Sequence, residues 1–248
     1  MKILNGTFLK VIAMITMVID HLGIRYFTQS RLCRFFGRIS FPLYAWFIAE
    51  SVYYTEQKHK EVPHALRLFI LALISEVPYD LYFRHMIYHP EAANVIFTLL
   101  TGYIVCVLMH KTGNILLKLF IIFTGCFIAT YFHFSYRYIG VLMIVLLNMM
   151  QDWSRRTGKS CAAPLFLVLT VYVAYYVIHN VSVHTPEGIL NGFRWGNWSQ
   201  LGTYLAFPLI MLYSGKPGCR NRVFLWIYRL FYPLHLSLIL LIEHFFFS

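Results

Sequence analysis

The chain has 248 residues, of which 59% are hydrophobic and only 12% are charged, and its mean hydropathy is +0.62. Apolar runs long enough to cross a bilayer recur along the sequence, and the polar residues are confined to short clusters between them. This pattern excludes an ordinary soluble domain. Backbone groups inside lipid must satisfy one another, so we expect the runs to form the α-helices of an integral membrane protein.

Nine apolar segments follow one another along the chain, and each is predicted to be a transmembrane helix. They cover residues 8–27, 39–55, 65–83, 94–110, 115–133, 138–150, 162–179, 199–213 and 223–242. The predicted fold is therefore all-α, a polytopic transmembrane helical bundle of about nine to ten spans. No internal repeat or long linker is visible, so residues 1–248 are predicted to form a single domain. The longest polar interlude, residues 179–200, is predicted to be a loop or a re-entrant segment.

The basic residues set the expected orientation in the membrane. Most lysines and arginines between the predicted spans fall on the side of the N-terminus, which the positive-inside rule assigns to the cytoplasm. This distribution accounts for most of the net charge of +11, so nucleic-acid binding is not expected. Four arginines crowd the opposite side in "RYFTQSRLCRFFGR", either as an exception to the rule or as part of a site.

The first apolar segment is predicted to be a retained helix. It carries Asp20 and His21 and lacks a small-residue cleavage site, unlike a signal peptide. The five cysteines are scattered without a CxxC pair, so they indicate neither a disulfide framework nor a thiolate metal site. His85 and His89 lie four residues apart, but no third ligand is close to them in the sequence. We therefore expect no metal cofactor.

Ionisable residues inside the predicted spans point to a functional site. A charged side chain within a bilayer is costly, so such residues normally face a partner or a watery cavity. Asp20 and His21 lie in the outer half of the first span, and Glu50 and His235 lie nearer mid-depth. Residues near the outer ends of their spans are Glu76, Asp80, Asn94, His133, Arg137 and His179. Their similar depth predicts one polar pocket between the helices, in the outer half of the membrane.

A structural interpretation remains open for several of these residues. Ending a helix or pairing with a neighbour would account for Glu76, Asp80, His133 and His179. His235 follows a proline in "FYPLHL" and could be a packed core histidine. Asp20 and His21 point about 100° apart on a helix, so Asp20 is not expected to orient the imidazole. A carboxylate from another span could do so, namely that of Glu50, Glu76 or Asp80.

Lys10 and His21 are spaced to face a long ligand. They are separated by eleven residues, close to three helical turns, so they share one helix face about 16 Å apart along the axis. A cation at the cytoplasmic mouth and a deep imidazole would suit acetyl-coenzyme A, whose phosphates and thioester lie at opposite ends of a flexible arm. A helix anchor that snorkels to the membrane surface is the alternative role for Lys10.

Six blocks of sequence resemble those of the TraX family, whose founding member acetylates the N-terminus of conjugative pilin. In order they are "LKVIAMITMVIDHLG", "RFFGRISFPLYAWFIAES", "LFILALISEVPYDL", "NVIFTLLTG", "LIMLYSGKPG" and "YRLFYPLHL". The spacing from Lys10 to His21 is also similar to the first-helix signature of the acyltransferase-3 family. The chain departs from the TraX pattern at Ser51, where glycine is usual, at Ser214, where asparagine is usual, and at "SYR", residues 135–137, in place of Asp-Tyr-Gly.

The resemblance implies a membrane-embedded acyltransferase of the bacterial inner membrane, with a cytoplasmic N-terminus and acetyl-CoA as its donor. It implies a catalytic group with His21 as the base, together with Asp20, Glu76 and Asp80. The expected donor-binding residues are Lys10, Arg34, Arg38 and His235. The expected acceptor-binding residues are Glu50, Asn94, Arg137 and Tyr232. The acceptor would be an envelope peptide, glycan or lipid, and direct transfer and a covalent acetyl-imidazole both remain open.

Other interpretations also accommodate these residues. A secondary transporter holds acids and histidines in its helices, but it should show a repeated half or interrupted helices in matched positions, and neither is visible. A noncatalytic assembly factor would explain the membrane anchor but not the ionisable residues at one depth. Arg34 and Arg38 could instead contact lipid phosphates at the start of a helix.

Overall fold

The structure is a computed structural model that describes residues 2–27, 31–89, 92–179, 198–219 and 221–247. These residues are helical except for turns and connecting segments, and two isolated β-bridges join Leu4 to Tyr213 and Ala93 to Phe134. The predicted all-α fold class is therefore confirmed for the described part of the chain.

The helices agree closely in position with the predicted segments. They are α1 (Gly6–Arg25), α2 (Arg31–Gly37), α3 (Ser40–Glu56), α4 (Glu61–Arg84), α5 (Val95–His110), α6 (Ile115–Tyr131), α7 (Arg137–Thr157), α8 (Ala162–His179), the 3₁₀ helix η1 (Trp198–Leu205), α9 (Ala206–Met211) and α10 (Arg222–Phe247). The short helix α2 was not predicted, and the segment predicted as one helix at 199–213 is divided between η1 and α9.

Two of the described helices are long and apolar enough to cross a membrane. They are α1, with 20 residues and a mean hydropathy of 1.7, and residues Arg222–Phe245 of α10, with a mean hydropathy of 1.6. Helices α5, α6 and α8 are apolar but shorter. The larger number of about nine to ten spans stays a prediction.

Asparagine side chains begin three of the helices. Asn5 accepts a hydrogen bond from the Phe8 backbone N–H at 3.0 Å, and Asn114 accepts one from the Leu116 N–H at 2.9 Å. Asn94 caps α5 in the same way. Because the first N–H groups of a helix have no partner within it, each cap fixes where its helix starts.

The chain divides into two compact units. Unit 1 comprises residues 1–44 and 153–220, and unit 2 comprises residues 45–152 and 221–248. Of the three boundaries, one falls inside α3, one falls inside α7 and one lies just before α10. That the whole chain is a single domain stays a prediction.

In unit 1 the N-terminal segment is tied to the residues that follow α9. The backbone N–H groups of Ile3 and Leu4 both donate to the Leu212 carbonyl at 2.9 Å, and the Ser214 N–H donates to the Leu4 carbonyl at 2.7 Å. Next to this contact, the Gly6 N–H donates to the Lys216 carbonyl at 2.8 Å. The start of α1 therefore lies beside the end of α9.

The segment of unit 1 from η1 to α9 is not a continuous α-helix because of two residues. Pro208 has no N–H to donate to the Tyr204 carbonyl, and its ring would clash with that carbonyl in an α-helix. Gly202 further lowers helix propensity. The 3₁₀ form rises about 2.0 Å per residue against about 1.5 Å in an α-helix, so η1 and α9 together extend roughly 25 Å.

Unit 2 is built around α5 and α7. Its fully or almost fully buried side chains include Val52, Tyr103, Val141, Ile144 and Leu147. Two amides of α7 hold α3 in place: the Asn148 Nδ2 donates to the Ala49 carbonyl and the Gln151 Nε2 donates to the Trp46 carbonyl, both at 3.2 Å. Helix α10 packs on α4, and α4 and α6 pack on α5.

Candidate functional site

The predicted site residues are divided between the two units. Unit 1 contains Lys10, Asp20, His21, Arg34 and Arg38, and unit 2 contains Glu50, Glu76, Asp80, Asn94, Arg137, Tyr232 and His235. That all of them line one pocket stays a prediction.

In unit 1, Asp20 forms an ion pair with Arg34. The Arg34 Nη1 lies 3.1 Å from both carboxylate oxygens of Asp20, and the two side chains are 33% and 14% exposed respectively. The pair joins the last turns of α1 to α2. Arg34 is one of the four clustered arginines that the positive-inside rule does not explain, and the ion pair gives it a partner within the fold.

Gly37 allows this close approach of α2 to α1. A methyl group at position 37 would overlap the Cβ and carboxylate atoms of Asp20. Sequence analysis did not identify Gly37 as a site residue, although a glycine that ends a short arginine-rich stretch is a signal of close packing. Asp20, Arg34 and Gly37 therefore form one packed contact.

His21 is buried directly after this ion pair in the chain. It is 8% exposed, and Thr16, more than one helical turn before it, is 7% exposed and donates to the Ile12 carbonyl at 2.9 Å. Neighbouring side chains on a helix point about 100° apart, and Asp20 engages Arg34. That Asp20 does not orient the His21 imidazole stays a prediction.

The two other predicted residues of unit 1 lie on either side of this group along the chain. Lys10 is half-buried near the start of α1, and Arg38 is half-buried in the turn between α2 and α3. The α-helical rise places Lys10 and His21 about 16 Å apart along α1, as the spacing predicted.

Sequence analysis missed a buried polar face on η1. Gln200 is 4% exposed and Thr203 is 0% exposed, and Ser40 at the start of α3 is 5% exposed. Among the residues that the structure describes, the Oε1 of Gln200 and the hydroxyl oxygens of Thr203 and Ser40 have no hydrogen-bond partner. Each such group costs about 1–3 kcal/mol if it stays unsatisfied. These residues were overlooked because they lie in two segments, 39–55 and 199–213, that were each predicted to be an apolar span.

In unit 2, Glu76 and Asn94 clamp α4 to the start of α5. The Asn94 Nδ2 donates to the Glu76 carboxylate and, at 2.8 Å, to the Ala72 carbonyl. The Asn94 Oδ1 accepts from the Ile96 N–H at 2.9 Å. Because both polar atoms of this amide are engaged in the fold, the geometry favours a positioning role for Asn94, and its predicted contact with an acceptor stays a prediction.

Asp80 lies one turn after Glu76 on α4 and is fully buried. Its Oδ2 accepts from the His89 backbone N–H at 2.8 Å, while its Oδ1 has no hydrogen-bond partner among the described residues. Asp80 therefore fixes the turn after α4, which contains the His85 and His89 pair considered for a metal.

Ser135 is central to the turn between α6 and α7. Its N–H and its hydroxyl both donate to the Ala93 carbonyl, at 2.9 and 3.0 Å, and its hydroxyl lies 3.3 Å from that of Tyr79. Its carbonyl accepts from Thr98. Ser135 thus ties the start of α5 to α4, where the TraX pattern has an acid. Arg137, two residues later, is exposed and has a positive φ of 44°.

The remaining predicted residues of unit 2 lie on α10 and α3. The His235 Nδ1 donates to the Phe231 carbonyl at 2.7 Å, and its ring stacks on Phe231 at a centroid distance of 4.8 Å. His235 is 6% exposed and Tyr232, whose ring lies 5.6 Å away, is 8% exposed. Glu50 is half-buried. The bond to Phe231 fixes the imidazole tautomer with its proton on Nδ1.

Among the described residues, no group of three or more histidine, cysteine, aspartate or glutamate side chains is arranged to hold a metal ion. The absence of a metal cofactor stays a prediction.

The helices and the buried polar residues define the class of the protein. Two apolar helices able to cross a bilayer, in a chain whose described part is mostly helical, indicate a membrane protein. Residues 5–243 match the family described as TraX protein, so the chain belongs to the TraX family. The resemblance found in the six sequence blocks is thereby confirmed.

One curated relative is similar over nearly its whole length. It is the probable fimbrial assembly protein FimC, serogroup H1, of Dichelobacter nodosus, which is 25% identical over 247 residues, covering 93% of this chain and 92% of the relative. No solved structure matches the chain.

Proposed function

We propose that the chain is a membrane-embedded acyltransferase that moves an acyl group, in the first instance acetyl, from acyl-CoA to an amine or hydroxyl of an envelope acceptor. The observation that carries this proposal is the buried His21 imidazole, which follows the Asp20–Arg34 ion pair inside a helix able to cross a membrane. Membership of the TraX family supports it, because the founding member acetylates pilin.

In the proposed reaction, the acceptor attacks the thioester carbonyl carbon while His21 takes a proton from the attacking amine or hydroxyl. The tetrahedral intermediate carries an oxyanion, which the Arg38 guanidinium is suited to stabilise. Its collapse breaks the carbon–sulfur bond, and the CoA thiolate leaves with the proton that His21 took up. General-base catalysis of this kind contributes about 10²- to 10⁴-fold in rate.

The Asp20–Arg34 pair has a positioning role in this scheme. Since the Asp20 carboxylate engages Arg34, α2 is held against the end of α1 that carries His21. Arg38 lies in the connection from α2 to α3, so the same contact also helps to position the Arg38 guanidinium. Lys10, near the other end of α1, is suited to the phosphates of the donor.

In unit 2, the proposal assigns the acceptor to Glu50, Arg137 and Tyr232. The contacts of Glu76 and Asn94 hold α4 to the start of α5, and the contact of Asp80 holds the turn after α4. The acceptor favoured here is a pilin-like peptide amine, because the relative is named a fimbrial assembly protein. The same name supports a second candidate, a noncatalytic role in fimbrial assembly.

An acetyl-transfer assay separates these two functions. Purified full-length protein in detergent would be supplied with radiolabelled acetyl-CoA and with two peptides of one sequence, one with a free N-terminal amine and one with a blocked amine. We expect label on the free peptide alone. The transferase proposal is contradicted if label appears on neither peptide and also on no glycan or lipid of added envelope extracts. The assembly role would then remain.

A further inference from the structure

The helix η1 presents three different faces, because a 3₁₀ helix has three residues per turn and side chains three apart are eclipsed. Gly202 is on the first face, Tyr204 is on the second, and Gln200 and Thr203 share the third. The third face is the polar one, and both of its side chains are almost completely buried.

The first two faces are occupied by neighbouring helices of unit 1. A methyl group at position 202 would overlap the Phe35 carbonyl, so the first face lies directly against the backbone of α2. On the second face, Tyr204 stacks on Phe166 at 5.5 Å, and its hydroxyl donates to that of Thr170 at 3.1 Å. The rotation of η1 is therefore fixed by α2 and α8, and so is the direction of the third face.

Helix α2 connects this face to the candidate catalytic group. Phe35 of α2 meets η1, and Arg34, its neighbour in the chain, pairs with Asp20 beside His21. Directly after α9, the Leu212 carbonyl accepts a hydrogen bond from the backbone N–H of Leu4, just before the start of α1. The segment from η1 to α9 thus runs along unit 1 with η1 at the His21 end of α1 and α9 at the Lys10 end.

The third face has the chemistry of a site for amides. It presents the amide oxygen of Gln200 and the hydroxyl of Thr203, neither of which has a hydrogen-bond partner among the described residues. The hydroxyl of Ser40 is a third such group in the same unit. Neither residue of the face carries a charge, which disfavours phosphate as the ligand. A hydrocarbon chain is also disfavoured, because it would leave the polar atoms of Gln200 and Thr203 without hydrogen bonds. A neutral ligand with both N–H donors and carbonyl acceptors, such as a secondary amide, complements them.

We propose that the Gln200–Thr203 face of η1 binds the amide groups in the arm of the acyl thioester donor. This inference rests on the proposed function and extends it, since the arm of CoA carries two secondary amides between its phosphates and its sulfur. Binding at the His21 end of α1 assigns the face to the part of the arm next to the thioester. Gln200 accepts an amide N–H, and Thr203 donates to an amide carbonyl.

Two variants remove these groups with little change of shape. They are Thr203→Val and Gln200→Met. Thr124→Val is the matched control, because Thr124 is half-buried on α6 and bonds only the Phe120 carbonyl of its own helix among the contacts described. Binding of pantetheine, which has both amides and no acyl group, would be measured by calorimetry on the full-length protein in detergent. An alkyl thiol of similar length without amides serves as the control ligand.

We expect pantetheine to bind about five- to tenfold more weakly to each of the two variants than to the wild type and the control variant. The KM for acetyl-CoA should rise by a similar factor in these two variants and stay the same in Thr124→Val. Equal binding of pantetheine by all four proteins overturns the inference. So does a higher melting temperature of Thr203→Val with unchanged binding, which would mean that the face holds internal water only.

The assay also distinguishes this failure from that of the proposed function. If acetyl-CoA is turned over but pantetheine binds equally to the wild type and the variants, the transferase proposal stands and the amide site is wrong. If the wild type neither binds pantetheine nor turns over acetyl-CoA, both are wrong.

Discussion

At the scale of single residues, the structure replaces a list of ionisable side chains with specific pairs. Asp20 and Arg34 are both only partly exposed, so their attraction is screened less by water than that of a surface pair. Glu76 and Asn94 are paired in the same specific way. Which acid meets which base depends on how the helices pack, and spacing along the sequence does not show it.

The Asp20–Arg34 pair should couple the two side chains energetically. In a double-mutant cycle with Asp20→Asn and Arg34→Gln, we expect each single change to destabilise the protein and the coupling energy to be about 1 kcal/mol. The measurement is unfolding in detergent, by heat or denaturant. Additive effects of the two changes would show that the pair contributes nothing to the packing of α2 on α1.

Gly37→Ala should be destabilising because its methyl group overlaps Asp20. We expect a loss of about 1–3 kcal/mol, as for overpacking elsewhere in proteins, and a lower rate of acetyl transfer. Gly113→Ala is the matched control, because nothing lies within 4 Å of the added methyl group and stability should change little. Equal stability of the two variants would contradict the close contact between α1 and α2.

At the scale of helices, a charged cluster joins α3, α5 and α7 in unit 2. The Nδ1 of His110 lies 2.9 Å from the Glu56 carboxylate, and its Nε2 lies 2.8 Å from that of Asp152 and 2.9 Å from the Asn148 Oδ1. Carboxylates only accept hydrogen bonds, so both ring nitrogens donate and the imidazole is positively charged. The cluster lies at the ends of its helices, where a positive charge near the last turn of α5 is also favourable.

Replacing His110 with glutamine should weaken this junction. The change removes a cation between two carboxylates and leaves Glu56 and Asp152 to repel each other, so we expect a loss of about 1–2 kcal/mol, kept modest because all three side chains are partly exposed. Thermal unfolding of the variant measures it. His244→Gln, an exposed position on α10, is the control, and an equal effect in both variants would contradict the role of the cluster.

At the scale of the whole molecule, helix positions could be predicted from the sequence and contacts could not. Apolar runs that begin directly after Asn5, Asn94 and Asn114 define the starts of α1, α5 and α6 to within a few residues. Helix α2 was missed because its seven residues are too few to show a helical period. The 3₁₀ form of η1 depends on Gly202 and Pro208 in a packed context, so its buried polar face was missed too.

Within the candidate site, sequence reasoning identified the polar residues of α1 but not their partners. Asp20, His21 and Arg34 were all predicted as site residues. The ion pair between Asp20 and Arg34, however, depends on the close approach at Gly37, which has no side chain. Gln200 and Thr203 were overlooked because single polar residues in an apolar run contribute little to its mean hydropathy. In both cases the missing information is the packing of helices that are distant in the sequence.

The predicted orientation of the molecule can be tested with single cysteines. A variant that keeps only Cys219 should react with a membrane-impermeant maleimide only after spheroplasts are opened, because the basic residues predict a cytoplasmic position. Adding Tyr88→Cys to a variant without native cysteines should give labelling of intact spheroplasts, since Tyr88 is exposed between two predicted spans on the other side. The opposite pattern of labelling would contradict a cytoplasmic N-terminus.

The central claim is that His21 acts as the base in acyl transfer, and chemical rescue of His21→Ala tests it most directly. Acetyl transfer from radiolabelled acetyl-CoA would be compared in the wild type, His21→Ala and the control His244→Ala, with and without added imidazole. We predict a loss of about 10²- to 10⁴-fold for His21→Ala, partial recovery with imidazole, and wild-type rates for the control. A folded His21→Ala variant that transfers acetyl at the wild-type rate would contradict the account.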